Sequence, residues 1–458
     1  MTSSVSNSKR RKIKQLFRRD KNKNKNKNKN KNKNKNRSKR FFEGWYYRVT
    51  LPEEGDSFVF IFSIEDPGQD PKSKLALAAC QVMGPNDEYI VQADADDSKF
   101  WAWRDQQGLG CTFEWRDGDD LEKSTTCDDT HVAALNPKVW SDHVVTGFQM
   151  LPTSLQGKIT GHDGSLGGVL DGQGIPADCS WDISIAPRSG WGDADQQRST
   201  AGWLASFPVF EPHWQVTMAD ARASGTIQWK GKVYNFEDQP FYAEKNWGGA
   251  FPLSWYWAQC NAFDGYPNLA FTAGGGVRQI PLGKTEELGM IGIHYNGTFY
   301  EAVPWTGDFE WEVTPWGRWE FRGRCTSGKN KRLFEAELIA VCEDNVPGVD
   351  LRAPTQKDGL AYFCRDSLLA DVELSLWEVQ WDEELKDFVK GPCIIDQARS
   401  RQGGVEVGGD LWMQNGDLKR GGGGWKASSR MKQPMKAMVK FPYLFEVLKD
   451  GVIGLIRR

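Results

Sequence analysis

From Phe41 onward, apolar and polar residues alternate with the two-residue period of β-strands. Phe58, Phe60 and Phe62 share one face of a strand at Ser57–Glu65, and the Glu-Glu-Gly-Asp turn before it marks a hairpin. Lys-Gly-Lys and Tyr-Asn-Gly-Thr are further hairpin signals. Strand-like segments recur at Trp45–Leu51, Gly225–Lys230, Lys232–Glu237, Trp255–Phe263, Leu269–Ala273, Met290–Tyr295, Thr298–Pro304, Phe309–Thr314, Arg318–Gly323, Leu333–Val341 and Leu368–Trp381.

Many short strands with glycine-rich turns favour antiparallel sheets closed into barrels or sandwiches. A chain of 458 residues exceeds one small barrel, so we expect an all-β fold of two antiparallel β-barrels in tandem. We place the N-terminal barrel at 41–200 and the C-terminal barrel at 201–430. A weak internal repeat agrees with this division, since Glu43-Gly-Trp45 and Glu244-Lys-Asn-Trp247 each lead into an aromatic strand.

The two ends of the chain differ from this pattern. Residues 1–40 hold 18 Lys/Arg, one acid and eight Lys-Asn repeats, a composition that predicts a disordered basic tail. The tail is either an electrostatic tether to an anionic lipid surface or a repeat expansion or part of a cleaved leader. Residues 431–458 are apolar and basic and predict a short amphipathic helical segment, lying on lipid or docked on its own barrel.

Charge and cysteine usage exclude several classes of protein. The whole chain has 58 Lys/Arg and 61 Asp/Glu, so the part beyond the basic tail carries a net charge of −20, which disfavours nucleic acid as a partner. Nine Cys without a C-x-x-C pair and five His without ligand spacing predict neither a metal site nor a disulfide framework. Reduced thiols fit a cytosol-like or stromal compartment. No apolar run is long enough to span a membrane as a helix.

The segment Ser199–Gly276 is the most aromatic part of the chain, with six of its 21 Trp. Strands with this many rings on one face can line an apolar chamber. Three carboxylates lie among them, at Glu211, Asp238 and Glu244. Burial among rings favours the neutral form of a carboxyl, which can then donate a proton to an apolar substrate. The alternative for each is a carboxylate paired with a backbone N–H or an Arg at a strand end.

Long motifs in this chain, in the same order, resemble those of the tocopherol cyclase family, and together they run from about Phe41 to Asp410. They are FFEGWYYRVTLPE (Phe41–Glu53), SFVFIFSIEDP (Ser57–Pro67), GWGD (Gly190–Asp193), STAGWLASFPVFEPHWQV (Ser199–Val216), EKNWGGAFPLSWYWAQCNAF (Glu244–Phe263), LAFTAGGGVRQIP (Leu269–Pro281), VPW (Val303–Trp305) and LRAPT (Leu351–Thr355). The Lys-Asn leader and the polar region 104–140 depart from the family pattern.

The resemblance implies a plastid enzyme of vitamin E synthesis with a tandem of lipocalin-like barrels. Such enzymes are intramolecular lyases that close the chromanol ring of prenylated benzoquinols, for example 2,3-dimethyl-6-phytyl-1,4-benzoquinol to gamma-tocopherol. It implies no redox cofactor, because the cyclisation is an isomerisation. It also implies association with plastoglobules, the lipid droplets of the chloroplast, or with the thylakoid membrane surface.

This reaction needs a neutral acid that protonates an alkene, a wall that stabilises the resulting tertiary cation, and anchors for the hydroquinone head. For the acid we favour Glu244 and Glu211, with His213 as a relay to Glu211, over Glu43, Glu65, Asp66 and Asp238. Ring faces stabilise cations. The candidate rings are Trp45, Trp214, Trp247, Trp255 and Trp257. The candidate anchors are Asn246, Gln259, Asn261 and Arg278, with Gly274–Gly276 allowing close approach of the backbone to the ligand.

Three other functions fit the same pattern. A non-catalytic carrier of prenylquinones would bind in the chamber without reacting, and its carboxylates would be open to solvent. A related alkene hydratase would hold a water where the phenol oxygen otherwise lies. Exposed Trp platforms would instead favour carbohydrate binding.

Overall fold

The computed structural model describes residues 40–68, 75–104, 106–116, 134–161, 177–193, 195–202, 212–280, 284–305, 308–327, 332–415, 417–419 and 424–429. These residues form antiparallel strands almost throughout, with one α-helix among them, α1 (Pro137–His143). Short 3₁₀ turns lie at Pro85–Asp87 and Asp97–Lys99. No helix in these ranges is long and apolar enough to cross a membrane.

The strands fall into two large sheets that follow one another along the chain. The first contains β1 (Phe42–Leu51), β2 (Asp56–Glu65), β3 (Leu77–Met83), β4 (Tyr89–Asp94), β5 (Phe100–Ala102), β6 (Leu109–Trp115), β7 (Val144–Leu151), β8 (Ser154–Gly161), β9 (Ala177–Ser189), β12 (His213–Trp229) and β13 (Lys232–Gly248), with the small pair β10 (Gly192–Asp193) and β11 (Gln196–Gln197) beside it. The second contains β14 (Ser254–Cys260), β15 (Leu269–Ile280), β16 (Lys284–Tyr295), β17 (Thr298–Ala302), β18 (Phe309–Thr314), β19 (Arg318–Ser327), β20 (Leu333–Val341), β21 (Val349–Thr355), β22 (Gly359–Asp382), β23 (Asp387–Gly409) and β26 (Trp425–Ser428), with the pair β24 (Met413–Gln414) and β25 (Asp417–Leu418) beside it.

The first sheet has the order β4-β3-β2-β1-β13-β12-β9-β8-β7-β6-β5 and curls until β4 faces β7 and β8. The Gln92 side chain donates to Thr146 Oγ1 and accepts from the Thr160 amide, each at 3.2 Å. Inside the curl, the rings of Phe62 and Phe148 stack with centroids 4.2 Å apart. The first barrel is therefore closed by side-chain contacts around an aromatic core.

The second sheet has the order β17-β16-β15-β14-β23-β22-β20-β19-β18-β26, with β21 paired to β22. It closes by main-chain pairing, because β17 also pairs with β19, where Tyr300 lies opposite Ser327. The prediction of an all-β fold with two antiparallel barrels in tandem is thus confirmed.

The change from one sheet to the other lies between Gly248 and Ser254, later than the expected boundary at residue 200. The reason is that β12 and β13 fill the space between β9 and β1 and so belong to the first barrel. The N-terminal tail up to residue 39 and the C-terminal segment 431–458, with its expected helix, lie outside the described residues.

The two barrels pack against each other through the outer faces of β1, β2 and β13 on one side and of β14, β22 and β23 on the other, and we call this contact the seam. Successive side chains on a strand point to opposite faces, so Tyr47 enters the first core while Tyr46 faces the seam. All seven residues of β14 are buried, since one face serves its own barrel and the other the seam.

Arg48 is the polar centre of the seam and is only 1% exposed. Its guanidinium donates to Gln259 Oε1 at 2.9 Å and to the Gln402 carbonyl at 2.6 Å, both in the second barrel. It also donates to Ser57 Oγ of its own barrel at 3.2 Å. Burying a cation is costly unless it is hydrogen-bonded, so these bonds favour the way in which the two barrels meet.

We expect Arg48→Leu to lower the free energy of unfolding by about 3 kcal/mol, because it leaves several buried acceptors without a donor. Denaturant unfolding followed by fluorescence measures the loss. The control is Arg399→Leu, since Arg399 is exposed and bonded to Glu373 at 3.0 Å. That change should stay within about 1 kcal/mol. Equal losses for the two variants would contradict the role given to Arg48.

Candidate active site

A cavity of about 220 Å³ opens in the seam, between the two barrels rather than inside either one. Its wall is mainly apolar and comes from β1, β2, β3, β12, β13, β14, β15, β16, β21, β22 and β23, with residues of the loops between them. Seven of the residues singled out from the sequence line it: Trp45, Trp214, Glu244, Asn246, Trp255, Trp257 and Arg278. The aromatic chamber expected from the sequence therefore forms where two sheets meet.

Glu244 lies on β13 and receives hydrogen bonds from both barrels. Tyr242 and Asn246 share its face of the strand at the two-residue spacing, and donate to Oε2 at 2.6 Å and to Oε1 at 3.1 Å. The indoles of Trp214 and Trp257 donate to Oε2 at 2.8 and 3.0 Å. Oε2 thus accepts three bonds and Oε1 one, which leaves Oε1 as the oxygen able to carry a proton.

Burial raises the pKa of Glu244 above its ordinary value, because desolvation penalises the charged form. The hydrogen bonds from Tyr242, Trp214, Asn246 and Trp257 oppose this effect but do not cancel it. The four donors also stabilise the carboxylate that remains once a proton has left. The arrangement therefore shifts Glu244 toward the neutral acid and still supplies hydrogen-bond donors to its anion.

Aromatic rings surround this carboxyl. The Trp257 centroid lies 5.3 Å from that of Tyr46 and 6.0 Å from that of Tyr242. Tyr46 is the direct partner of Glu244 in the β1–β13 pairing. A cation formed here would lie against π-faces, which attract it through their quadrupole.

The glycine run Gly274–Gly276 on β15 leaves room for neighbouring groups to approach the strand closely. A Cβ on Gly274 would lie 3.1 Å from the Trp214 ring, and a Cβ on Gly275 would lie 2.3 Å from the Tyr256 hydroxyl. A Cβ on Gly276 would lie 2.6 Å from the Ser254 carbonyl oxygen. Trp214, Tyr256 and Ser254 thus occupy the space that side chains at these three glycines would take. Gly274 in particular allows the observed position of the Trp214 indole.

Of the two residues predicted for the proton relay, the structure describes only His213. Glu211 lies outside the described residues. His213 and Trp247 face each other across β12 and β13, and their rings stack at 5.0 Å without lining the cavity. The neighbouring pair Trp214 and Asn246 does line it. Adjacent positions on a strand point to opposite faces, so the placement of one pair excludes the other.

Two predicted anchors also lie elsewhere. Gln259 shares the strand face of Trp255 and Trp257 but lies further along the seam, where it accepts from Arg48. Asn261 follows the end of β14 and donates to the Phe241 carbonyl at 2.9 Å. Neither residue lines the cavity.

The remaining two candidates line the cavity with their functional groups engaged. Arg278 donates to Glu286 at 2.8 Å, so a carboxylate already neutralises its charge. The Trp45 ring packs against Phe100 at 5.9 Å in the first core, so its contribution to the cavity wall is small.

The other described carboxyls that were candidates for the acid role do not line the cavity. Glu43 pairs with Lys245, and Arg40 bonds Glu65 at 2.8 Å and lies 3.1 Å from Asp66. The Asp238 side chain is 72% exposed. Among the carboxyls named from the sequence and described in the structure, only Glu244 reaches the cavity.

Tyr46 and Glu406 are among the cavity residues that the sequence analysis did not single out. The Tyr46 hydroxyl is buried and has no hydrogen-bond partner among the described residues, so a ligand oxygen can satisfy it. Glu406 lies on β23, where Trp255 Nε1 donates to it, and burial raises its pKa to about 7. A single acid between Val405 and Val407 was the available signal, because a strand buried on both faces shows little alternation.

Fold and site together define a class: an all-β protein of two tandem barrels with an acid-bearing, ring-lined cavity at their seam. The model of the tocopherol cyclase-like family matches residues 39–409. The chain is 39% identical to tocopherol cyclase, chloroplastic, of Zea mays, over 90% of this chain and 82% of the relative. It is 40% identical to probable tocopherol cyclase, chloroplastic, of Oryza sativa subsp. japonica, over 86% and 78%. The chain belongs to the tocopherol cyclase-like family.

Among solved structures, kievitone hydratase from Nectria haematococca is 10% identical, with 80% of this chain and 88% of that chain covered and a TM-score of 0.37. A likeness of this size identifies neither a function nor a site.

We expect Gly274→Ala to cost about 1–3 kcal/mol of stability, because the new methyl group displaces the Trp214 ring from Glu244. Denaturant unfolding followed by tryptophan fluorescence measures both the loss and the change in ring environment. Gly44→Ala is the matched control, since its Cβ would lie 3.8 Å from its nearest neighbour, the Phe62 carbonyl oxygen. A Gly274 variant as stable as the Gly44 variant would show that the ring is not held by this contact.

Proposed function

We propose that this protein closes the chromanol ring of prenylated benzoquinols, converting substrates such as 2,3-dimethyl-6-phytyl-1,4-benzoquinol to gamma-tocopherol as an intramolecular lyase. The observation that carries the proposal is a buried Glu244 with four hydrogen-bond donors in a ring-lined cavity. Membership of the tocopherol cyclase-like family supports it. A passive carrier has no need of such a buried acid.

In the first step, Glu244 gives the proton on Oε1 to the less substituted carbon of the prenyl alkene. The π-electron pair forms the new C–H bond, and the O–H electron pair stays on the carboxylate. Tyr242, Trp214 and Trp257 already point at Oε2, so the new negative charge meets preformed donors without reorganisation.

The tertiary cation then develops among the rings of Trp257, Trp214 and Tyr46. Ring faces stabilise a cation through their quadrupole but do not bond to it as a nucleophile would, which leaves the cation for the phenol. The phenol oxygen has to lie close to that carbon before protonation. Orientation of this kind contributes roughly 7–11 kcal/mol to an intramolecular reaction.

The Tyr46 hydroxyl is the anchor we propose for the hydroquinone head. It is buried in the cavity wall on the strand next to Glu244, and the bound head group would satisfy it. The other proposed contacts are Asn246 and Arg278, which line the cavity while bonded to Glu244 and Glu286.

For localisation, we propose the chloroplast and, within it, the surface of plastoglobules or thylakoids. The relatives from maize and rice are named chloroplastic. A substrate with a long prenyl chain partitions into lipid, so an enzyme that uses it benefits from contact with a lipid surface. Fractionation of plastids with a tagged full-length chain tests this proposal.

We expect Glu244→Gln to lower the rate of chromanol formation about 10²–10⁴-fold, because an amide cannot give up a proton, while quinol binding stays close to wild type. The assay incubates purified protein with the phytyl benzoquinol under anaerobic conditions and measures chromanol by chromatography. Quenching of tryptophan fluorescence reports binding separately.

Glu65→Gln is the matched control for this experiment. Glu65 is also fully buried and has a pKa raised to about 8 by burial, but it lies outside the cavity. Its variant should therefore cyclise at nearly the wild-type rate. Full activity in Glu244→Gln would remove Glu244 from the acid role, and a wild-type protein that binds quinol without forming chromanol would favour a carrier.

The pH dependence of turnover gives a second test. The acid must be protonated, so activity is lost as pH rises through the pKa of Glu244 in the complex. Tyr242→Phe removes a hydrogen bond that lowers this pKa, so the alkaline limb of the pH–rate profile should move to higher pH. The maximal rate should fall, because the carboxylate left behind loses a donor. An unmoved limb would assign the titration to another group.

A further inference from the structure

Glu406 is the second carboxyl in the cavity wall, and it comes from the second barrel whereas Glu244 comes from the first. It is the direct partner of Trp257 in the β14–β23 pairing, and the same Trp257 donates to Glu244. Cross-strand partners lie side by side, so Glu406 is beside the Trp257 residue while Glu244 accepts the hydrogen bond from its indole N–H. Trp255 fixes the Glu406 side chain by donating to Oε1.

The proposed cyclisation leaves one task that Glu244 does not perform. When the phenol oxygen bonds to the tertiary carbon, its O–H bond has to break, and the proton needs an acceptor close to that oxygen. The lining of the cavity is mainly apolar, so few groups in its wall can accept a proton. Glu244 has just become a carboxylate held by four donors, which makes it a weak base.

We propose that Glu406 is a further catalytic residue, the general base that takes the phenolic proton as the ring closes. This inference rests on the cyclase function proposed above and adds a residue to it. The phenol oxygen supplies a lone pair to the new C–O bond. The O–H electron pair stays on the chromanol oxygen, and the proton goes to a Glu406 carboxylate oxygen.

The two carboxyls together balance the reaction. In the reactive state Glu244 holds the proton and Glu406 is ionised, and after ring closure Glu406 holds the proton and Glu244 is ionised. One proton has entered the product at carbon and one has left it at oxygen, as an isomerisation requires. Transfer of the proton from Glu406 back to Glu244 after product release restores the starting state.

Electrostatics oppose the ionisation of both carboxyls at once. Each carboxylate raises the cost of ionising the other, and the charge of Glu244 contributes to the raised pKa of Glu406. The pair thus favours sharing a single proton. Asp366 lies opposite Glu406 on β22 and is fully buried, but it does not line the cavity. Among the described carboxyls, Glu406 is therefore the one placed to meet the substrate together with Glu244.

The test is Glu406→Gln, assayed with the phytyl benzoquinol in deuterated water. Glu244 then delivers deuterium, and a cation that is not captured reverts to the alkene and leaves deuterium in recovered substrate. We expect chromanol formation to slow about 100-fold, and the ratio of deuterium in recovered substrate to chromanol formed to rise above the wild-type ratio. Glu244→Gln should show neither product nor exchange.

Two variants separate chemistry from folding. Glu406→Asp keeps a carboxylate and should recover part of the cyclisation rate and lower the deuterium ratio again. Glu301→Gln is the matched control, since Glu301 is another buried carboxyl bonded to an indole, that of Trp191 at 3.1 Å, away from the cavity wall. Its deuterium ratio should equal that of wild type.

The inference is overturned if Glu406→Gln cyclises at the wild-type rate, or if cyclisation and exchange fall together and Glu406→Asp is no better than Glu406→Gln. Either result leaves the cyclase function intact, because wild type still forms chromanol. Absence of chromanol from the folded, quinol-binding wild type overturns the proposed function itself.

Discussion

The structure depends on one constraint, which is that the outer faces of two barrels are buried against each other. Each strand at the seam packs one face against the core of its own barrel and the other face against the neighbouring barrel. This explains why β14 is buried along its whole length and why Arg48 is enclosed and bonded to Gln259, Gln402 and Ser57. The cavity exists because the two curved surfaces do not fit completely at this contact.

Packing at the seam determines the environment of the Glu244 carboxyl. Its strand comes from the first barrel, and Trp257, one of its donors, comes from the second. Neither barrel alone would desolvate the carboxyl and supply all its donors. Desolvation shifts Glu244 toward the neutral acid, while the four donors limit the cost of the anion. An acid that must donate to a weakly basic alkene needs both properties at once.

The sequence predicted much of this arrangement, for identifiable reasons. The period-2 pattern with turn signals predicted an all-β fold, and the size of the chain predicted two barrels. The density of Trp around Glu244 predicted a ring-lined chamber with an acid in it. The boundary between the barrels was placed too early, because a strand pattern does not say which neighbours a strand will have, and β12 and β13 pair back to β9 and β1.

Which contacts of the site could be predicted depends on how far apart the interacting residues lie along the chain. Tyr242, Glu244 and Asn246 converge because they alternate along one strand, and that much is written in the local sequence. His213 and Trp247 failed to join them because a pattern of aromatic residues does not show which face turns toward the seam. Tyr46 and Glu406 went unnoticed because each lies about 150 to 200 residues from Glu244 along the chain.

The sequence by itself therefore determined the strands, the number of barrels, the family resemblance and one acid in an aromatic setting. Only the tertiary structure decided that the cavity lies between the barrels, that Glu244 receives donors from both, and that a second carboxyl faces the same space. The physical reason is that strand patterns depend on neighbours within a few residues. Desolvation and convergent hydrogen bonding depend instead on surfaces that meet only when both barrels have folded.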